Sequence, residues 1–342
     1  MQKLRLGKTE LMVTRTSFGA LPIQRISNED AVKLLRRAYD AGINYFDTAN
    51  MYTDSEYKIG LALSDVRHDI VISTKSGGRD KASVTAHIEN SLRMMKTDYI
   101  DLFQFHNPAE MPSPEDPNGA YAAALEAKRK GYIRHIGITN HRLALAKKCI
   151  ASGLFETMQF PFSYIGSDEE LALPAICREA DMGFIAMKGL AGGLLNNARA
   201  CAAFMRQYDN VVPIWGIQRE SELEEFLALD AEENLEISDE LQAVINAHRA
   251  ELADGFCRSC GYCLPCPAGI NIPQAARMNC LLRRAPMAQF MTKEYYQEMH
   301  KIDACLECRQ CVSRCPYSLD TPNLLKKMLA DYDEMYGKFG EK

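Results

Sequence analysis

From Thr16 to Trp215 the chain repeats one pattern eight times: a short β-rich apolar run, then a stretch of helical periodicity. The candidate strands are 16–19, 43–47, 70–75, 100–106, 135–139, 157–160, 183–187 and 211–215. Between them, Ser27-Asn28-Glu29-Asp30 supplies an N-cap and an acidic first turn for a helix that Gly42 ends. Lys81 to Met95 spaces Val84, Ile88, Leu92 and Met95 on one helical face. Tyr121–Lys130 and Leu143–Ala151 close at Gly131 and Gly153. Strands that alternate with helices argue for a parallel sheet, because a crossover helix returns the chain to start the next strand in the same direction. An open doubly wound sheet that binds a dinucleotide needs G-x-G-x-x-G after its first strand. None occurs, so the expected class is α/β with a closed (β/α)8 TIM barrel. Leu4–Leu6, Gly7-Lys8 and Leu11–Val13 read as a hairpin that could close the barrel's bottom.

Three of the early strands end in an ionisable residue. Phe46-Asp47-Thr48-Ala49-Asn50-Met51-Tyr52 puts a carboxylate five residues ahead of a phenol; Lys75 closes Ile72–Lys75, and His106 closes Leu102–His106. In a parallel barrel these groups converge on one mouth, where barrel enzymes carry their chemistry. A phenol with a pKa of about 10 exchanges protons poorly at neutral pH. An ammonium such as Lys75 stabilises the phenolate, and Asp47 holds that ammonium in place and charged. His106 is suited to donate a hydrogen bond to a carbonyl oxygen. Singly, a Tyr or His at a strand end is more often packing or a satisfied hydrogen bond. Four at barrel-consistent positions point to general acid catalysis by Tyr52. Asn107–Gly119, with four prolines beside His106, is the expected substrate loop.

Gly42-Ile43-Asn44-Tyr45-Phe46-Asp47-Thr48-Ala49, with Tyr52 and Ser55-Glu56, resembles the signature of the aldo/keto reductase family. Ser91-Leu92-Arg93-Met94-Met95-Lys96-Thr97-Asp98-Tyr99-Ile100-Asp101-Leu102 resembles its second block, and the likeness runs over roughly residues 3 to 250. The resemblance implies a (β/α)8 barrel in which NADPH usually gives hydride directly to an aldehyde or ketone, with the tyrosine as acid. Gly137-Ile138-Thr139-Asn140 resembles the family's Gly-Val-Ser-Asn, which implies that Asn140 contacts the nicotinamide carboxamide and that Gln159 shares the task. Leu190-Ala191-Gly192-Gly193-Leu194 resembles the loop around the pyrophosphate, implicating Leu190 and Gly192. Two departures stand out. Met187 occupies the place of the tyrosine that stacks under the nicotinamide, where a thioether pads without a flat face. Ile214-Trp215-Gly216-Ile217-Gln218-Arg219 replaces the Pro-Gly-x-Arg block, with Gln218 at the arginine that reads the 2′-phosphate, Arg219 one step away and Phe226 at the adenine-reading asparagine. Gly216, Gln218 and Arg219 are the expected contacts there, and the cofactor is NADP or NAD.

The chain has 342 residues, about 90 more than such a barrel uses. Composition shifts near residue 250, giving expected domains of 1–253 and 254–342. The second carries Cys257-x2-Cys260-x2-Cys263-x2-Cys266-Pro267 and Cys305-x2-Cys308-x2-Cys311-x3-Cys315-Pro316. The second run matches the bacterial ferredoxin pattern at every ligand, and the first is one residue short before its last cysteine. Zinc sites draw four ligands from two pairs, and disulfides are rare in reducing compartments, so two [4Fe–4S] clusters are the expectation. The ferredoxin pattern implies a crossover: Cys257, Cys260, Cys263 and Cys315 on one cluster, and Cys305, Cys308, Cys311 and Cys266 on the other. Gln274–Arg284, Lys293–Lys301 and Asn323–Tyr336 look helical, so the domain resembles α-helical ferredoxins. A bacterial and archaeal subset of aldo/keto reductases carries such a domain. Cys149, Cys177, Cys201 and Cys280 are scattered and read as small buried hydrophobes.

A net charge of −5 gives no electrostatic case for nucleic acid or a membrane surface. No apolar run approaches the roughly 18 residues of a membrane span, and no apolar stretch follows the charged opening residues. The expected location is cytoplasmic. Two functions follow. One is a carbonyl reductase acting on a small carbonyl or alcohol, with clusters in a structural or regulatory role. The other is an electron-transfer enzyme coupling NAD(P)H or substrate to a ferredoxin-like redox partner. A nicotinamide moves two electrons as hydride and a cluster takes one; a flavin normally mediates, and no flavin motif is visible. A degenerate barrel used as a scaffold is a third reading, against which the intact set of four residues speaks.

Overall fold

The computed structural model describes residues 1–252, 256–284 and 287–341. Its contacts divide the chain into two compact units, Met1–Gly189 with Asn197–Gln242, and Leu190–Asn196 with Ala243–Lys342. The domain limit expected at 253 falls on residues outside those described.

The first unit opens with an antiparallel hairpin of β1 (Lys3–Arg5) and β2 (Met12–Thr14), in register Leu4 to Val13. The hairpin crosses the sheet closely. A Cβ on Gly7, whose φ is +54°, would lie 2.2 Å from the Gly183 nitrogen, so only glycine fits. Eight strands follow: β3 (Ser17–Gly19), β4 (Tyr45–Asp47), β5 (Val71–Ser76), β6 (Ile100–His106), β7 (Ile133–Thr139), β8 (Thr157–Pro161), β9 (Gly183–Met187) and β10 (Val211–Gly216). They pair in parallel and close as a barrel in the order β10-β3-β4-β5-β6-β7-β8-β9. Leu4, Leu6 and Val13 of the hairpin segment pack with Tyr45, Val71, Leu102, Ile185, Val212 and Ile214. Most of these lie at or near the starts of their strands, so the hairpin plugs that end and leaves the C-terminal mouth for function.

Local chemistry explains the helices. Ser27 caps Asn28–Asp40 by accepting from the Asp30 amide at 3.1 Å, and Gly42 leaves it at φ +98°. Asp80 and Ser83 form a capping box at the start of Lys81–Met94. That helix buries Val84 and Ile88, and Met95 just after it, as the spacing predicts; Leu92 is only half-buried and Ser91 goes inward, where it bonds Glu56. Residues 107–119 form the expected long loop.

The second unit shows no strand among its described residues. Its core joins Ile270, Met278, Phe290, Leu325 and Tyr332, with the Tyr332 hydroxyl donating to the Phe290 carbonyl at 2.7 Å. The helix expected over 274–284 is two, Ile272–Ala275 and Met278–Arg284, and the last helix runs longer than expected, Thr321–Phe339. The Arg277 side chain turns from the break to bond the Pro273 and Gly192 carbonyls.

Candidate active site and cysteine hollows

The barrel brings Asp47, Lys75 and His106 to the C-terminal ends of β4, β5 and β6, with Tyr52 in the turn that follows β4. That turn is pinned by the Tyr52 amide to the Ala49 carbonyl (3.0 Å) and the Ser55 amide to the Tyr52 carbonyl (2.8 Å). The Lys75 ammonium, 1% exposed, donates to Asp47 Oδ2 at 2.6 Å and to the Thr48 carbonyl at 2.5 Å. Burial lowers its pKa, and the carboxylates of Asp47 and Glu56 oppose the loss of charge. The ammonium lies 5.3 Å from the centroid of the Tyr52 ring. His106 meets that ring edge-on, with centroids 5.8 Å apart. Enclosure, together with the charges of Lys75 and Arg79, brings the His106 pKa down to about 3, so the imidazole is neutral at neutral pH. Its Nδ1 is buried with no hydrogen-bond partner.

Behind these four lies a second set of side chains. Ser73 Oγ donates to Asp47 Oδ1 at 2.6 Å and accepts from the Tyr45 hydroxyl at 2.9 Å. Glu56 is buried, bonded by Thr74, Ser91 and Asn50, and burial raises its pKa. Gln104, fully buried, donates to Gln159 Oε1 at 2.8 Å and approaches Asp47 Oδ1 at 3.4 Å. Ser73 and Gln104 stand two residues before Lys75 and His106, on the same face of their strands. The period-2 alternation of the strands, legible in the sequence, places them there.

The expected cofactor residues fall into different circumstances. Gln159 is buried on β8, and its Nε2 faces the Met187 sulfur at 3.8 Å. The Asn140 amide is already engaged with backbone, donating to the Pro108 carbonyl at 3.0 Å and accepting from the Arg142 amide at 2.7 Å. Gly216 ends β10, exposed, with Pro22 beside it. Gln218 has a buried Oε1 without a partner. Arg219 does not reach out as a free cation: it pairs with Glu222 through Nε at 2.9 Å and Nη2 at 2.6 Å. Phe226 stacks on Trp215 at 4.3 Å and is buried, leaving no polar group at the adenine-reading position. Leu190 and Gly192 belong to the loop that groups with the C-terminal unit, where the Gly192 carbonyl accepts from Arg277 at 2.7 Å.

Within that unit two hollows are lined by cysteines. Cys257, Cys260, Cys263 and Cys315 surround one. Cys266, Cys305, Cys308 and Cys311 surround the other, which Cys263 also borders. None of them is in a disulfide, and the walls are otherwise largely apolar, with Ile272 shared between them. Among the described residues no three His, Cys, Asp or Glu side chains are placed to hold a single metal ion. Donors ringing a hollow suit a polynuclear cluster better than one zinc. Burial pushes the thiols of Cys149, Cys177 and Cys201 up to about 12, so these behave as small hydrophobes.

The model of the aldo/keto reductase family matches residues 15–255. The chain belongs to the aldo/keto reductase family. A 4Fe-4S dicluster domain follows at residues 256–320, so this aldo/keto reductase carries an iron–sulfur domain. It is 30% identical over 209 residues to the uncharacterized oxidoreductase YqkF of Bacillus subtilis, covering 57% of this chain and 67% of that one. It is 33% identical over 136 residues to methylglyoxal reductase DkgB of Escherichia coli O157:H7, covering 37% and 49%. The chain thus spans about half to two thirds of the length of these curated relatives. Among solved structures, aldo-keto reductase AKR11C1 from Bacillus halodurans in its holo form aligns with a TM-score of 0.63 at 23% identity, over 72% of this chain and 96% of that one. An aldo-keto reductase from Klebsiella pneumoniae in complex with NADPH aligns with a TM-score of 0.60 at 21% identity, over 72% and 94%. Both likenesses concern the fold. Family membership makes this reductase an NAD(P)-dependent oxidoreductase, and no helix among its described residues is long and apolar enough to cross a membrane.

Proposed function

We propose that this reductase interconverts a small aldehyde or ketone and its alcohol by direct hydride transfer, with Tyr52 as the proton donor. The observation that carries the reading is the buried Lys75–Asp47 pair set beside the Tyr52 ring, with neutral His106 at the ring's edge. The ammonium favours the phenolate and so brings Tyr52 toward a pKa useful for proton transfer. Asp47, fixed by Ser73, keeps the ammonium charged and aimed. The His106 imidazole, uncharged, is fit to donate one hydrogen bond to the carbonyl oxygen without competing for its proton. Gln159, with Met187 beside it, is suited to NADPH or NADH; the buried amide and flexible thioether fit a carboxamide and an aromatic ring. Bound there, the reduced nicotinamide supplies the hydride. NADPH accompanies the Klebsiella relative and methylglyoxal is named for the Escherichia one, which supports a small carbonyl as substrate. Tyr52→Phe is expected to lower turnover by about 10²–10⁴-fold, the span of general acid catalysis, with cofactor affinity unchanged. Full activity in that variant rejects the assignment.

The eight cysteines fit two [4Fe–4S] clusters, one in each hollow. A second reading, electron transfer to a protein partner, draws on the exposed edge of one hollow. Cys308 is exposed and its neighbour Leu306 is 67% exposed, which puts a cluster there within reach of a docking protein. Anaerobic titration with NADPH, following the broad visible absorption of the clusters, separates the two. Bleaching without added carbonyl favours electron transfer. Absorption that stays constant while NADPH is consumed with a carbonyl favours the plain reductase.

A further inference from the structure

Gln104 is a fully buried polar residue at the centre of the barrel that neither hydride nor proton transfer directly requires. It sits on β6, and its Nε2 lies 2.8 Å from Gln159 Oε1 on β8 and 3.4 Å from Asp47 Oδ1 on β4. The three residues come from alternate strands, as one interior layer of such a barrel does. The amide's orientation is not arbitrary. A carboxylate only accepts, so the end of Gln104 facing Asp47 must be its NH2 group. That same group then donates to Gln159, which makes the facing atom of Gln159 its oxygen. Gln159 is left with its own NH2 turned away, toward the Met187 sulfur at 3.8 Å.

The fold makes room for this bridge. Gly137 pairs with Gln104 across β6 and β7. A Cβ on Gly137 would lie 3.2 Å from the Gln104 Cγ and 2.0 Å from the Thr157 hydroxyl, so a side chain there would crowd both. The arrangement also carries a cost, because Gln104 Oε1 is buried with no partner. An unpaired buried acceptor is destabilising, a cost that an apolar residue in the same layer would avoid.

We propose that Gln104 is a positioning residue for the nicotinamide: it locks Gln159 so that the Gln159 NH2 is the end offered to the carboxamide oxygen. The inference rests on the reading of Gln159 as a carboxamide contact. Without the lock, only the weak contact of its NH2 with the Met187 sulfur at 3.8 Å favours one end of the Gln159 amide, and binding must order it. Because the same Gln104 amide also faces Asp47, the lock ties the nicotinamide contact to the group that holds Lys75.

Calorimetric titration of the purified protein tests this with two probes, NADPH and its nicotinamide-free fragment 2′-phospho-ADP-ribose. Gln104→Leu and Gln159→Leu are each expected to weaken NADPH about three- to tenfold, the worth of one net hydrogen bond, and to leave the fragment unchanged. The double variant is expected to be no weaker than either single one, since both remove the same contact. Gln104→Met repeats the test with an unbranched side chain of similar volume should the leucine fail to fold, and fragment binding reports that the site is intact. If Gln159→Leu weakens NADPH and Gln104→Leu does not, the positioning role is overturned and the carboxamide contact stands. If neither weakens it, the carboxamide contact itself falls, and the proposal with it. Equal weakening of NADPH and fragment by Gln104→Leu overturns the proposal in favour of a purely structural role.

Discussion

The barrel and the cysteine-bearing unit solve the same problem, holding reactive groups at fixed places, in opposite ways. In the barrel the reactive groups satisfy one another: Asp47 is bonded by Ser73 and Lys75, and Lys75 by Asp47 and a carbonyl. Parallel strands in fixed register set those distances, and the charges balance within the protein. In the other unit the eight cysteines line two hollows. A small core of Ile270, Met278, Phe290, Leu325 and Tyr332 supports them. Metal binding in such a setting is part of the folding free energy. One half of the molecule carries its own electrostatic partners, whereas the other presents sulfur donors around hollows beside a small apolar core.

That contrast is breakable at several points. The largest structural effect should come from Lys75→Met, which leaves the Asp47 carboxylate buried and unpaired. A loss of about 3–5 kcal/mol is expected in denaturant unfolding of the barrel, together with loss of turnover. A variant as stable as the parent would mean that the barrel does not rely on this internal balance. Next, Cys308→Ala should remove about half of the bound iron, with one hollow losing a ligand and the other keeping its set. Unchanged iron content would show that the set of ligands is wrong.

A third test concerns pH. The folded pKa of His106, about 3, lies below the unfolded value of about 6.5, so below pH 6.5 the unfolded chain takes up a proton that the native one refuses. Stability should therefore fall as pH drops from about 6.5 toward 3, and His106→Gln should flatten that fall. Equal slopes for parent and variant, measured by urea midpoints at several pH values, would remove His106 from the balance. The smallest effect is expected from Arg219→Ala. Its guanidinium is 70% exposed on the side chain and pairs with Glu222 three residues on, a contact worth about 0.2–0.5 kcal/mol. The ratio of NADPH to NADH affinity should shift by no more than about threefold. A large shift would make Arg219 the reader of the 2′-phosphate after all.

Much of the fold was legible because its signals are local. Each strand is a short apolar run, several helices carry side-chain caps, and glycines such as Gly42 mark the ends. The hairpin that plugs the barrel and the long loop over 107–119 could be read the same way. The helix expected over 274–284 failed because periodicity continues through Ala276 and Arg277 while the chain does not; Arg277 leaves to bond the Gly192 carbonyl, 85 residues earlier in sequence. Ser91 turning inward in place of Leu92 has a similar cause, a buried carboxylate on another helix that needs a donor. Neither partner is visible in a local window.

By itself the sequence determined which side chains stand at the strand ends, Asp47, Lys75 and His106, with Tyr52 one turn beyond. It also determined that eight cysteines come in two runs of ferredoxin spacing. These depend only on strand period and on residue spacing along one segment. Only the tertiary structure decided who holds whom. Closure of the barrel brought Ser73 and Gln104 to Asp47, and Gln159 to Gln104, from strands 26 to 57 residues apart. It also pairs Arg219 with Glu222 and stacks Phe226 on Trp215. The physical reason is that buried polar groups must find partners, and in a closed barrel those partners come from neighbouring and alternate strands that no stretch of sequence brings side by side.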